Sequence, residues 1–326
     1  MCTSIKWLNN HHFYFGRTLD NPVHFGEKIV FTPKNYSFWF TYEPTLYHHF
    51  AMIGMARVEN KDYPLYADGM NEYGLCMASL YFPHFGQYSK FEENKINLPP
   101  YELISYILLQ CKSVEEAKKI LQKCNIVDTP FNHLPLPVLH WIISDEKETI
   151  VIEPIMGKLE IYENPFDVLT NSPPFPYHLE NICNYLNLTP RYPINNFIKS
   201  ISLNPYGSGI GTMFLPGDFS PSSRFVKTAF LIHNSISIPN KMEAISHFFQ
   251  ILSSVSMLKG AVYTKENLID YTLYTCCMDT QEKIYYYKTY ENTQINAIKM
   301  LPQNYYTNQP IIYDLIHESY IHYQEY

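Results

Sequence analysis

The 326-residue chain contains no apolar run approaching the ~20 residues that a membrane-spanning helix needs. Its opening, MCTSIKWLNN, has no basic stretch followed by an apolar core, so it does not read as a secretory signal. Taken as complete, the chain is expected to stay in the cytoplasm, with no membrane partner. Basic residues are scattered and the formal net charge is −7. The positive stripe that tracks a phosphate backbone is missing, and nucleic acid is not an expected partner. The seven cysteines are odd in number and none is spaced C-x-x-C, which points away from a disulfide framework. Most are expected to be small buried apolar groups. The histidine pairs at 11–12 and 48–49 lack acidic partners at helical spacing, so no metal is expected. Linkers, repeats and low-complexity tracts are absent too, which favours one domain over residues 1–326.

What is present is strand-rich. Aromatics reach 16%, with 29 tyrosines, and Tyr suits half-buried pleated surfaces. Residues 2–8 and 13–19 read as a hairpin joined by Asn9, Asn10, His11 and His12. Further strands are expected at 28–32, 50–55, 75–80, 138–144, 149–155 and 158–163, and again at 270–277, 283–290 and 294–300. Helical patterning lies between them. Residues 101–111 are Leu/Ile-rich, and Ser113 with Glu116 forms a capping box for the helix that follows. Two more helices are expected at 177–187 and 222–233. In 240–256 the residues Met242, Ile245, Phe249, Leu252 and Val255 share one face. Strands that open, divide and close the chain, with helices in blocks, define an α+β class of antiparallel sheets with helices outside.

Cys2 directly follows Met1, and methionine is usually removed ahead of so small a residue. A thiol and a free α-amine would then share one carbon. A thiol of pKa about 8.5 is only partly ionised at neutral pH. An α-amine of about 7.7–8.0 is matched to take its proton and return it to a leaving amine. The strand returning from the hairpin carries Arg17 and Asp20. The cation would favour thiolate, and the carboxylate would hold the α-ammonium. On composition alone, a surface ion pair is the competing reading for these two.

Several stretches together resemble the choloylglycine hydrolase family of N-terminal-nucleophile hydrolases, which groups bile-salt hydrolases and penicillin V acylases. They are Met1-Cys2-Thr3, Gly16 to Asp20, Ala67 to Glu72 with Gly74-Leu75, Leu169 to Pro173, and Leu215 to Ser220 with Ser223-Arg224-Phe225. They span nearly the whole chain in the family's order. The resemblance implies a four-layer αββα sandwich, usually a homotetramer, with no metal or organic cofactor. It implies Cys2 as nucleophile, Arg17 beside the thiol, and Asp20 at the α-amine. Asn171 would be the oxyanion donor and Arg224 a second arginine near the nucleophile. Tyr81 falls where typical bile-salt hydrolases have Asn and typical penicillin V acylases have Tyr, and its backbone N–H would complete the oxyanion hole. Without the family match, Asn171 reads as a turn residue, Arg224 as a surface helix residue and Tyr81 as a core aromatic.

The expected reaction is hydrolysis of a small-molecule amide through a Cys2 thioester. On the strength of Tyr81, penicillin V is the first substrate, a conjugated bile salt the second and an N-acyl-homoserine lactone the third. Pocket shape would be set by loops 21–27, 57–64 and 129–137. The rival of another class is a non-catalytic binding protein that kept the fold.

Overall fold

The computed structural model describes residues 1–59 and 63–324, so residues 60–62 of the 57–64 loop lie outside the described residues. The chain opens with the hairpin. Strands β1 (Cys2–Asn9) and β2 (His12–Asn21) pair from Cys2 opposite Leu19 to Asn9 opposite His12. The connection is two residues, not four, because Asn10 takes a left-handed φ of 56° and lets the strands close at once.

Next come β3 (Glu27–Thr32), β4 (Met52–Glu59), β5 (Tyr63–Tyr66), β6 (Asp68–Asn71) and β7 (Cys76–Tyr81). The short strands β8 (Ile96–Leu98) and β9 (Cys124–Ile126) bracket helices α1 (Leu103–Leu108) and α2 (Val114–Leu121). Ser113 caps α2 by accepting from Glu116 N at 3.2 Å, while the Glu116 carboxylate takes the N–H of Lys112 rather than of Ser113. The strands β10 (Leu139–Ser144), β11 (Thr149–Ile155) and β12 (Lys158–Glu163) form the expected meander. Then follow β13 (Val168–Leu169), α3 (Phe175–Asn181), α4 (Pro221–His233) and α5 (Lys241–Ser253). The chain ends in β14 (Val262–Tyr263), β15 (Ile269–Asp279), β16 (Ile284–Thr289), β17 (Asn296–Lys299) and β18 (Ile311–Tyr313). On α5, Ile245, Phe249 and Leu252 are buried as expected, but Met242 in the first turn is 65% exposed. Ala244, Phe248 and Ile251 complete the buried face instead.

Two antiparallel sheets carry the fold. One runs β13-β1-β2-β15-β16-β17 with β14 on β15, and the other runs β12-β11-β10-β7-β6-β4-β3-β18 with β5 on β4. Alternation along the second sheet sorts its side chains into two cores. Ile53, Met55, Ala78, Leu80, Ile142 and Val151 face the first sheet. Met52, Met77, Trp141, Ile143, Ile150 and Ile152 face α1 and α2. The outer face of the first sheet is covered by α4 and α5, with Phe248 against Tyr14. The layers are therefore helix, sheet, sheet, helix: the αββα sandwich.

Gly16 sits where α5 meets this sheet. A Cβ there would lie 2.0 Å from the Cys276 carbonyl oxygen and 2.9 Å from Phe248 Cε1. Gly16→Ala is expected to cost about 3 kcal/mol, lowering the melting temperature by about 4–5 °C. An unchanged thermal melt would mean that β15 gives way freely.

Candidate active site

Cys2 is the first residue of β1. Its side chain shares a face with its cross-strand partner Leu19 and, two residues along β2, with Arg17. That face looks into the gap between the sheets, because Arg17 Nη1 donates across it to the carbonyls of Ser79 at 2.5 Å and Ala67 at 3.3 Å. Arg17 is fully buried, and its Nη2 has no hydrogen-bond partner among the described residues. Burial works against the guanidinium charge, but the Cys2 thiol, Tyr274 and Asp68 outweigh it and raise the pKa. Asp68 is held by the hydroxyls of Tyr274 (2.6 Å) and Tyr285 (2.7 Å). In the sequence Asp68 stands within a matched stretch, with no role attached to it.

Register brings in Asn171. Strand β13 pairs with β1 as Leu169 opposite Ser4, and continuing that register sets Asn171 beside Cys2. Cys2 N donates to Asn171 Oδ1 at 2.9 Å, and Asn171 Nδ2 donates to the Tyr81 carbonyl at 2.7 Å. In an extended strand the N–H and C=O of one residue project to the same edge. The Tyr81 amide thus points to the Asn171 side. The Tyr81 ring itself is 48% exposed, so it is not a core aromatic.

Arg224 comes from the other side. Ser220 caps α4, Pro221 occupies its first position, and Arg224 follows in the opening turn. There it is buried rather than on the surface. Its Nη1 donates to the Cys2 carbonyl at 2.5 Å and to Thr3 Oγ1 at 2.6 Å, and Nη2 donates to Asn171 Oδ1 at 2.7 Å. Asp20, also buried, accepts from the Thr272 hydroxyl through Oδ1 at 2.5 Å, while its Oδ2 has no hydrogen-bond partner among the described residues. Burial pushes its carboxyl up, against the pull of the terminal ammonium and Arg224. With Met1 in place, the ammonium is that of Met1. It donates to the Asp20 carbonyl at 2.8 Å and pairs with Asp270 at 3.1 Å. The nitrogen of Cys2 is then only a peptide N–H.

All six residues singled out from the sequence thus meet, Tyr81 through its backbone. Two buried guanidiniums, Arg17 and Arg224, interact electrostatically with the Cys2 thiol. An amide with a spare N–H, next to a strand-end N–H, can receive an oxyanion. Among the described residues no group of His, Cys, Asp and Glu is placed to hold a metal, and no helix is long and apolar enough to cross a membrane.

A cysteine opening the first strand of an αββα sandwich defines the class of N-terminal-nucleophile hydrolases. Within it, this chain belongs to the choloylglycine hydrolase family, the linear amide C–N hydrolases, whose sequence model matches residues 2–313. It is 41% identical over 320 residues to a bile salt hydrolase/transferase of Lactiplantibacillus plantarum, covering 98% of each chain. A crystal structure of a variant of the conjugated bile acid hydrolase from Clostridium perfringens superposes with a TM-score of 0.91 at 38% identity, over the full length of both chains. The penicillin V acylase of Agrobacterium tumefaciens, at a TM-score of 0.74 and 23% identity over 95% of this chain and 90% of that one, shares the fold. The protein is a hydrolase of linear amide C–N bonds.

Proposed function

We propose that the chain hydrolyses conjugated bile salts, with Cys2 as the nucleophile once Met1 is removed. The reaction is supported above all by two unpartnered atoms in the buried site, Arg17 Nη2 and Asp20 Oδ2. A donor without an acceptor and an acceptor without a donor are costly when dry. A thiolate on Cys2 and an ammonium at its α-carbon would answer them. In the proposed sequence the thiolate forms a bond to the amide carbon, and the oxygen charge falls to Asn171 Nδ2 and the Tyr81 N–H. The α-ammonium protonates the leaving amine as the C–N bond breaks. Water then cleaves the thioester, releasing the acid and restoring the thiol. Arg224 holds Asn171 Oδ1 and the Cys2 carbonyl, which keeps the Asn171 amide turned with its N–H outward.

The choice of substrate follows the likeness to bile salt and bile acid hydrolases, at 41% and 38% identity. It reverses the order expected from Tyr81. A ring left half-exposed is a weak guide to the acyl group. The test is kcat/KM on glycocholate, taurocholate, penicillin V and an N-acyl-homoserine lactone. One of the two bile salts is expected to exceed penicillin V by about tenfold or more, equivalent to about 1.4 kcal/mol of transition-state binding. The opposite ranking would make the protein a penicillin V acylase. A homotetramer of one-domain chains is the assembly we propose, to be checked by light scattering.

A further inference from the structure

Beside Asn171 lies a buried polar cluster with no part in the chemistry above. His140 on β10, Glu153 on β11 and His178 on α3 are all fully buried. His178 Nε2 donates to the Asn171 carbonyl at 3.0 Å, and His140 Nε2 donates to the Thr170 carbonyl at 3.1 Å. These two carbonyls belong to the peptide planes on either side of the Asn171 Cα. Each plane is rigid, so gripping both fixes φ and ψ between them. The direction of the Asn171 side chain is thereby set by two imidazoles.

His140 is itself constrained. Its Nδ1 faces Glu153 Oε1 at 3.0 Å, and both Glu153 oxygens accept from Phe175 N, at 3.1 and 3.0 Å. A carbonyl oxygen cannot donate, so Nε2 must carry a hydrogen. A neutral ring would then turn the Nδ1 lone pair against a carboxylate lone pair, in a site sealed from water. That arrangement is repulsive and leaves Nδ1 a buried acceptor with no donor. The pair therefore keeps one proton between Nδ1 and Oε1. Tyr162 and Glu160 on β12, His178 on α3 and Arg224 on α4 are the titratable groups around it. Burial pushes His178 down to about 4, which keeps that ring neutral.

We propose that Glu153, His140 and His178 are positioning residues that aim the Asn171 amide at the substrate carbonyl oxygen. The inference rests on the role of Asn171 given above. Its signature is the contrast between two changes at one position. In Glu153→Gln, the new amide can donate to Nδ1 of a neutral His140 and still accept from Phe175 N, so the geometry survives without the shared proton. In Glu153→Leu, Nδ1 loses its partner, and the ring is held only by the Thr170 carbonyl and by stacking on Phe82.

The experiment compares Asn171→Ala, His140→Phe, Glu153→Leu and Glu153→Gln with the parent, on whichever of the four amides above the parent cleaves fastest. Thermal melts confirm that each variant is folded. Asn171→Ala should lose about 10²–10³ in kcat. His140→Phe and Glu153→Leu should lose about 10–100-fold in kcat, as expected for a misplaced catalytic group, with KM changed less than about twofold. Glu153→Gln should stay within about threefold of the parent. Normal kcat in His140→Phe and Glu153→Leu, alongside an impaired Asn171→Ala, overturns the positioning role and leaves Asn171 as donor. An unimpaired Asn171→Ala removes both. Should the apolar variants not fold, proton NMR of the parent decides. A downfield, slowly exchanging imidazole N–H must be present in the parent and lost in Glu153→Gln, and its absence from the parent overturns the shared proton.

Discussion

Cys2→Ala is expected to reduce turnover below about 10⁻⁴ of the parent, because no other group on the molecule can form the thioester. The six remaining cysteines do not compete. Cys76, Cys276 and Cys277 are completely buried, and their thiols are pushed well up by that burial. Cys111 and Cys124 are pushed up to about 12 for the same reason, and Cys183 is exposed on the helical segment after α3. Cutting the side chain back to a methyl removes one heavy atom, the sulfur, from the core, at a cost of about 1 kcal/mol. The variant should therefore fold, and a melt close to that of the parent would separate lost chemistry from lost structure. Cys2→Ser should be nearly inactive as well, since a hydroxyl ionises far less readily than a thiol beside the same amine. Substantial turnover by Cys2→Ala, or an equal loss on changing Cys183 alone, would move the nucleophile elsewhere.

Blocking the N-terminus should be nearly as damaging. A chain with an uncleaved extension ahead of Cys2 is expected to lose more than about 10³ in kcat, the scale of removing a general acid–base group together with its positioning. In the Met1-bearing chain the Cys2 nitrogen is a peptide N–H donating to Asn171 Oδ1, and the ammonium belongs to the wrong residue. Asp20 Oδ2 is left without a donor. A fusion whose protease leaves Cys2 first gives the comparison directly, with activity appearing on cleavage. Intact mass of protein expressed from its own start should show loss of one methionine and nothing more. Full activity in the uncleaved fusion would take the amine out of the mechanism.

The hairpin, the meander and the closing strands were legible because each is a short run rich in β-branched and aromatic residues bounded by polar turns, and helix α2 because Ser113 and Glu116 announce it. Strands β5, β6 and β13 were not, since four residues or fewer carry too little pattern to separate from a loop. The pairing of Cys2 with Arg17 and Asp20 followed from the hairpin alone. The approach of Asn171 and Arg224 could not, because more than 160 residues of chain intervene and only the family likeness spoke for them. Arg224 shows the limit of local reasoning. In the first turn of a helix a cation is mildly unfavourable, yet here it is drawn inward by the Cys2 carbonyl and Asn171. His140 and Glu153 carried a signal that was missed. They are the ionisable residues within otherwise apolar strands, and the β10–β11 register, with Trp141 opposite Ile152, brings them face to face.

The two-residue turn at Asn10 and His11 has a consequence for how this gene can change. Every position from Cys2 to Leu19 is counted from that turn, and a nucleophile that must stand first, as proposed above, leaves no slack on its other side. One codon gained or lost within β1 would turn the thiol from the gap between the sheets toward the helices, or slide it past Arg17. The first stretch of the reading frame can therefore exchange side chains over generations but cannot vary in length. The long irregular stretch between α3 and α4 is under no such rule.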